Sequence, residues 1–123
     1  MVDIIRENGD ALVPSIASAD GMSLYYDDVG SGDPVLFIHE FAGNHRTWAA
    51  QSDALRKSYR CIAYSARGYP PSDVPADDGA YGQDIALGDA IAVLDALEIE
   101  RAHIVGHSMG AYTALHVGLK HPE

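Results

Sequence analysis

The chain has 123 residues, 47% of them hydrophobic and 21% charged, a balance that excludes a disordered or fibrous chain and fits a single domain over residues 1–123. Eight Lys and Arg stand against 18 Asp and Glu, for a net charge of −10 and no basic cluster. Such a surface repels phosphate backbones and anionic headgroups, so neither nucleic acid nor a membrane is an expected partner, and small-molecule chemistry is the expected class.

The single cysteine, Cys61, cannot form an internal disulfide and sits in the apolar stretch of residues 60–64, where a buried, inert thiol is expected. Residues 1–10 hold no apolar leader core, and the longest aliphatic or aromatic run is Val35-Leu36-Phe37-Ile38, so the cytoplasm is the expected location.

In chain order, residues 13–17 read as a strand and Asp20-Gly21 as the tight turn into a second strand, residues 22–27, which together make an antiparallel hairpin. Gly30-Ser31-Gly32-Asp33-Pro34 is turn chemistry. The uninterrupted apolar run of residues 35–38 that follows has the character of a strand buried on both faces, in the middle of a sheet. Residues 45–57, with Trp48, Ala49 and Leu55, read as a short helix and residues 59–64 as a strand, which makes a parallel crossover, followed by a loop over residues 65–80. Over residues 82–97, Leu87, Ala90, Ile91, Leu94 and Leu97 recur at helical spacing, with Asp84, Asp89 and Asp95 expected on the solvent side. Residues 102–105 form a short apolar strand, residues 106–110 a tight turn, and residues 109–120 a helix that stops before Pro122. This alternation implies an α/β domain with a mostly parallel sheet. The outer edge of its last strand is expected to invite a partner.

Gly106-His107-Ser108-Met109-Gly110 has the GxSxG pattern of a nucleophile elbow, placed between a predicted strand and a predicted helix. The turn holds the serine in a strained backbone conformation, and glycines at 106 and 110 remove side chains that would collide with neighbouring backbone. Ser108 is thereby the candidate nucleophile, and the helix behind it offers the Met109 amide to a developing oxyanion. The alternative is a glycine-rich turn whose serine merely caps the next helix.

A second segment, Phe37-Ile38-His39-Glu40-Phe41-Ala42-Gly43-Asn44-His45-Arg46-Thr47-Trp48, and a third, Arg67-Gly68-Tyr69-Pro70-Pro71-Ser72-Asp73, precede that elbow. With these three motifs the chain, from about Gly21 onward, resembles the N-terminal portion of the α/β-hydrolase superfamily, of the serine esterase and C–C hydrolase type. The resemblance implies part of an α/β-hydrolase sheet, an antiparallel hairpin then parallel strands with crossover helices, without the C-terminal strands and cap. It also implies that the backbone N–H of Phe41 is the second oxyanion donor, beside Met109. His39 is expected to order that loop through backbone hydrogen bonds, a direct catalytic role being the alternative.

Three positions depart from the family pattern. Glu40 replaces a glycine, Ser65 stands where an aspartate usually precedes the Arg-Gly pair, and Pro70 replaces a glycine. A carboxylate beside an oxyanion hole opposes the charge that builds there, so Glu40 is expected to point away and pair with Arg46 or Arg67, general-base action being the alternative. Serine at the nucleophile position disfavours the aspartyl-ester chemistry by which the family opens epoxides and removes halides. The implied activity is hydrolysis of an ester or related acyl bond in a small molecule through an acyl-enzyme on Ser108, with C–C hydrolysis or a peracid reaction also open. No cofactor and no metal are expected, since the scattered histidines and lone cysteine lack the spacing of a ligand set.

A serine nucleophile needs a histidine to take its proton and a carboxylate to orient that histidine, and in this family both follow the serine in the chain. After Ser108 come fifteen residues, with His116, His121 and Glu123, while His107 is adjacent to the serine and diverges from it around the turn. None fits the role of base. Two expectations follow. Either a further portion or a second chain supplies the histidine and the acid, or these residues form an inactive binding module that self-associates along the last strand edge.

Overall fold

The computed structural model describes the backbone of residues 2–7 and 11–123 and the side chains from residue 14 onward. Residue 1 and residues 8–10, part of the segment read as free of a leader, lie outside the described residues. Strands β1 (Val2–Glu7), β2 (Ala11–Ala17), β3 (Ser23–Gly30) and β4 (Asp33–Ile38) come first. Helix α1 (Ala49–Leu55), β5 (Tyr59–Tyr64), α2 (Gln83–Ala96), β6 (His103–Gly106) and α3 (Met109–Lys120) follow. One sheet of six strands runs in the order β1-β2-β3-β5-β4-β6. The first three strands and the β3–β5 pair are antiparallel, and β4 is parallel to both β5 and β6.

The alternation of side chains along β4 and β5 divides the core. Leu36, Ile38, Ile62 and Tyr64 face Ala90, Val93 and Leu94 of α2 and Val117 of α3. Val35, Phe37, Cys61 and Ala63 face the other way, toward Trp48, Leu55 and Tyr59. The apolar run of β4 is thus buried on both faces, as its sequence requires, and each such side chain contributes about 1.5–3 kcal/mol. Cys61 lies inside this core, where burial pushes its thiol pKa up.

The structure departs from the sequence expectation at several elements. Strand β1 was not anticipated, and it pairs along β2 from Val2↔Ile16 to Glu7↔Ala11. Strand β3 continues to Gly30 through Asp27 and Asp28, residues with poor strand propensity. It is held there by β5, whose Arg60 donates from Nε and Nη2 to the Asp28 carboxylate, the shorter bond at 2.6 Å. The single helix expected over residues 45–57 divides into a 3₁₀ turn, His45–Trp48, and α1. The turn is closed by a capping box between Asn44 and Thr47, and the Trp48 ring lies against Phe37 at 5.0 Å.

Asp89 corrects another expectation, since it lies on the buried side of α2. Its carboxylate accepts from Nε and Nη2 of Arg67 at 2.6 and 2.7 Å, a bidentate pair inside the protein. The same guanidinium bonds both oxygens of Asp20, in the β2–β3 turn, and the carbonyl of Ala80. It therefore fastens the hairpin, the loop after β5 and α2 together. Burial pushes the Asp89 carboxyl upward against the pull of Arg67, whereas the exposed Asp20 is held well below the usual carboxylate range by its Arg67 hydrogen bonds.

At the C-terminal ends of β4 and β6, α3 approaches the sheet backbone closely. A Cβ on Gly110 would strike the carbonyl of Ile38, with the His39 carbonyl oxygen at 2.6 Å. A Cβ on Gly106 would in turn strike the carbonyl of Gly110. Two outcomes follow from these packings. Asp89→Ala, which leaves Asp20 as the one carboxylate on Arg67 and deprives the buried Arg67 Nε–H of its acceptor, should cost about 1–3 kcal/mol of stability in urea unfolding, and parental stability would show that the pair is dispensable. Gly110→Ala should destabilise by about 1–3 kcal/mol or more, because backbone and not a flexible side chain must yield, and parental stability would refute the close approach.

Candidate active site

Ser108 sits between the end of β6 and the start of α3 with φ 53° and ψ −113°, a left-handed conformation that non-glycine residues rarely adopt. The sheet ladder runs into the turn, since His107 N–H donates to the Ile38 carbonyl at 3.2 Å. Gly110 N–H then closes it onto the His107 carbonyl at 2.9 Å. Ser108 is the N-cap residue of α3, yet its side chain makes no capping hydrogen bond and is exposed. A capping role is therefore not what holds this serine in place, and the strain is sustained by the packing of Gly106 and Gly110.

The strand register places the other expected residues. Ile38 of β4 pairs with Gly106 of β6, so Phe41 and Met109, each three residues further on, leave neighbouring strands at the same end of the sheet. Met109 opens α3, where the first N–H groups have no intrahelical acceptor. Phe41 lies in a turn closed by Gly43 N–H donating to the Glu40 carbonyl at 3.1 Å, and its ring is 76% exposed.

His39 is fully buried at the end of β4. The N–H of Ala66 donates to its Nε2 at 2.9 Å, which leaves Nδ1 to carry the proton and donate to the Glu40 carbonyl at 2.8 Å. One imidazole thereby joins the loop after β4 to the loop after β5. Burial lowers its pKa, outweighing the hydrogen bond to Glu40 that raises it, so the ring is neutral. Sequence reasoning missed Tyr69, whose ring meets His39 edge-on at 4.8 Å and Phe41 at 6.5 Å. Its place two residues after Arg67 in the third motif was the available signal.

Glu40 does not pair with Arg46 or Arg67. Its Oε1 accepts from Thr47 Oγ1 at 3.0 Å, and its Oε2 lies 3.5 Å from Nδ1 of His107. The Arg67 guanidinium is taken up by Asp20 and Asp89. The side-chain direction follows from Gly43, which leaves free the space that the Glu40 carboxylate enters.

A serine, a histidine and an aspartate do meet elsewhere. Ser65 Oγ is 2.8 Å from His45 Nδ1, and His45 Nε2 is 3.9 Å from Asp27 Oδ2. Ser65 has no accessible surface, so this group fastens the loop after β5 to the turn before α1 and cannot meet a substrate. His103 packs against Tyr59, His116 against Tyr112, and His121 lies 4.0 Å from Glu123. Among the described residues no cluster of three His, Cys, Asp or Glu could hold a metal ion, and no helix is long and apolar enough to cross a membrane. A cavity of about 930 Å³ opens at the opposite end of the sheet, by Asp33, Glu98, Arg101 and His103, away from Ser108.

Comparisons with known proteins bear on the fold. The family model described as "alpha/beta hydrolase fold" matches residues 33–123. An "Epoxide hydrolase" from Caballeronia sordidicola is 40% identical over 107 residues, 86% of this chain and 32% of that protein. A "2-hydroxymuconate semialdehyde hydrolase" from Pseudomonas sp. (strain CF600) is 39% identical over 108 residues, 85% of this chain and 38% of that protein. Among solved structures, an esterase from Exiguobacterium antarcticum superposes with a TM-score of 0.80 at 33% identity, covering 87% of this chain and 40% of that one. The chain thus spans about a third of the length of the curated relatives it matches. From the residues matched, the strained serine and the order of the strands, the chain belongs to the α/β-hydrolase fold family.

Proposed function

We propose that this chain carries the nucleophile and oxyanion-binding half of a serine hydrolase that cleaves an ester or related acyl bond of a small molecule. The observation that carries the reading is the left-handed backbone of Ser108 at a strand-to-helix turn braced by two glycines, with no capping bond to occupy its hydroxyl. In this reading Ser108 Oγ attacks the substrate carbonyl carbon and passes its proton to a base. The carbonyl oxygen becomes an oxyanion held by the N–H groups of Phe41 and Met109, each such donor contributing about 2.7–4 kcal/mol to the transition state. Collapse of that intermediate expels the leaving group, which takes the proton back, and water then releases the acyl group from Ser108.

The base and its carboxylate partner are assigned to a part of the protein outside residues 1–123 or to a second chain. A relative that bears the name of epoxide hydrolase does not by itself move this chain to that chemistry, because Ser108 offers a hydroxyl where aspartyl-ester formation needs a carboxylate. A second reading, an inactive module that binds or self-associates along β6, draws on the exposed Val105 of that strand and on Tyr112, Leu115 and Leu119 of α3.

Ser108→Ala should abolish hydrolysis of short-chain p-nitrophenyl esters and prevent labelling by a fluorophosphonate, read by intact mass. Ester hydrolysis that survives the substitution would sink the nucleophile assignment, and a parent protein that takes up no label would favour the inactive module. A pH dependence accompanies this. The unfolded chain binds a proton at His39 near its ordinary pKa of 6.5, whereas the folded protein holds it neutral to lower pH. Stability is therefore present above about pH 6.5 and is lost as pH falls toward the folded pKa. His39→Gln should remove this segment of the pH profile of the thermal midpoint, and an unchanged profile would contradict the assignment.

A further inference from the structure

We propose that Glu40 is a positioning residue for the Ser108 site, receiving the Nδ1–H of His107 and so tying the loop that carries the Phe41 N–H to the turn that carries Ser108 and Met109. The inference rests on the acyl-transfer reading and deepens it. Glu40 immediately precedes Phe41, and His107 immediately precedes Ser108, so a contact between their side chains spans the two walls of the proposed oxyanion site with no intervening residue on either side.

The carboxylate has a built seat. Its Oε1 takes the Thr47 hydroxyl at 3.0 Å and occupies the space that a Cβ on Gly43 would fill. Its Oε2 is buried without a hydrogen-bond partner, and the group facing it is His107 Nδ1 at 3.5 Å. A buried carboxylate oxygen is costly unless it is satisfied, so the imidazole is drawn into the tautomer that presents Nδ1–H to Glu40. Nε2 is left open on a side chain that is 66% exposed beside the nucleophile. The hydrogen bonds from its own backbone N–H and from Thr47, with the facing His107, hold the Glu40 carboxyl below its ordinary pKa, so the acceptor is anionic. The two carboxylate oxygens thus face Thr47 and His107.

The test pairs a spectroscopic and a kinetic readout on the purified protein. In ¹⁵N imidazole spectra His107 should be the Nδ1–H tautomer, and Glu40→Ala should return it to the Nε2–H form that free histidine prefers. Glu40→Ala should lower kcat for p-nitrophenyl acetate by about 10- to 100-fold with KM within about twofold, and Glu40→Gln, which keeps the acceptor and the shape, should recover most of that loss. A general base at Glu40 would instead leave the glutamine variant as impaired as the alanine one, and that result overturns the proposal. So does a parental Nε2–H tautomer, or a kcat indifferent to Glu40→Ala. The tautomer needs no turnover, so it reports on the contact even where Ser108→Ala shows that hydrolysis does not pass through Ser108. In that event the acyl-enzyme reading falls and takes the kinetic part of this inference with it.

Discussion

The arrangement at the C-terminal end of the sheet depends on how near α3 can come to the backbone of β4. With glycine at 110 the helix rests directly on the carbonyls of Ile38 and His39, and with glycine at 106 the strand turns into that helix without a side chain between them. Between these two contacts lies Ser108, held at positive φ. A non-glycine residue held at positive φ costs on the order of 1–3 kcal/mol, a cost the surrounding packing has to offset. The buried interior of β4, on whose end α3 rests, supplies that rigidity, since its side chains are covered on both faces.

Polar side chains inside the protein do a second job, which is to join loops that the sheet alone would leave independent. His39 links the loops after β4 and β5, Ser65 and His45 link the loop after β5 to the turn before α1, and Arg67 links that same loop to the hairpin and α2. Each of these groups finds donors and acceptors within the fold, which is the condition for burying it without a large penalty. The Arg67 pair illustrates the trade. Its Coulombic gain is offset by desolvation of the buried carboxylate, so its value lies in geometry, and loss of Asp89 is costly because a buried N–H of Arg67 would be left without an acceptor.

What could be read in the sequence was whatever depends on neighbours along the chain. The apolar run of β4, the helical spacing of Leu87, Ala90, Ile91 and Leu94, and the GxSxG turn are local patterns, and the structure places each where the pattern put it. What escaped depends on partners far away. Asp89 falls on a helical position that reads as polar surface, and its buried setting comes from Arg67, 22 residues distant. The extension of β3 through Asp28 comes from Arg60, 32 residues distant. The direction of Glu40 is set by the missing Cβ of Gly43 and by His107, neither of which its own position in the sequence reveals. The family resemblance located the motifs, but it carried no information at the positions where this chain departs from the pattern.

A division of labour follows from the physical origin of each part of the site. The elements proposed for transition-state binding, the elbow and the two N–H donors, are backbone groups whose positions are fixed by strand register and by glycine packing. Proton transfer depends on side chains, which need their own hydrogen-bond partners to be oriented. In serine hydrolases generally, the oxyanion hole and binding alone sustain a rate about 10³–10⁴ above that in water when a triad member is lost. The region described here holds the proposed backbone contribution. The imidazole next to the serine in the chain, His107, faces Glu40 at 3.5 Å. A base for Ser108 therefore has to be a side chain that brings its own orienting partner, because His107, adjacent to the serine in the chain, faces Glu40.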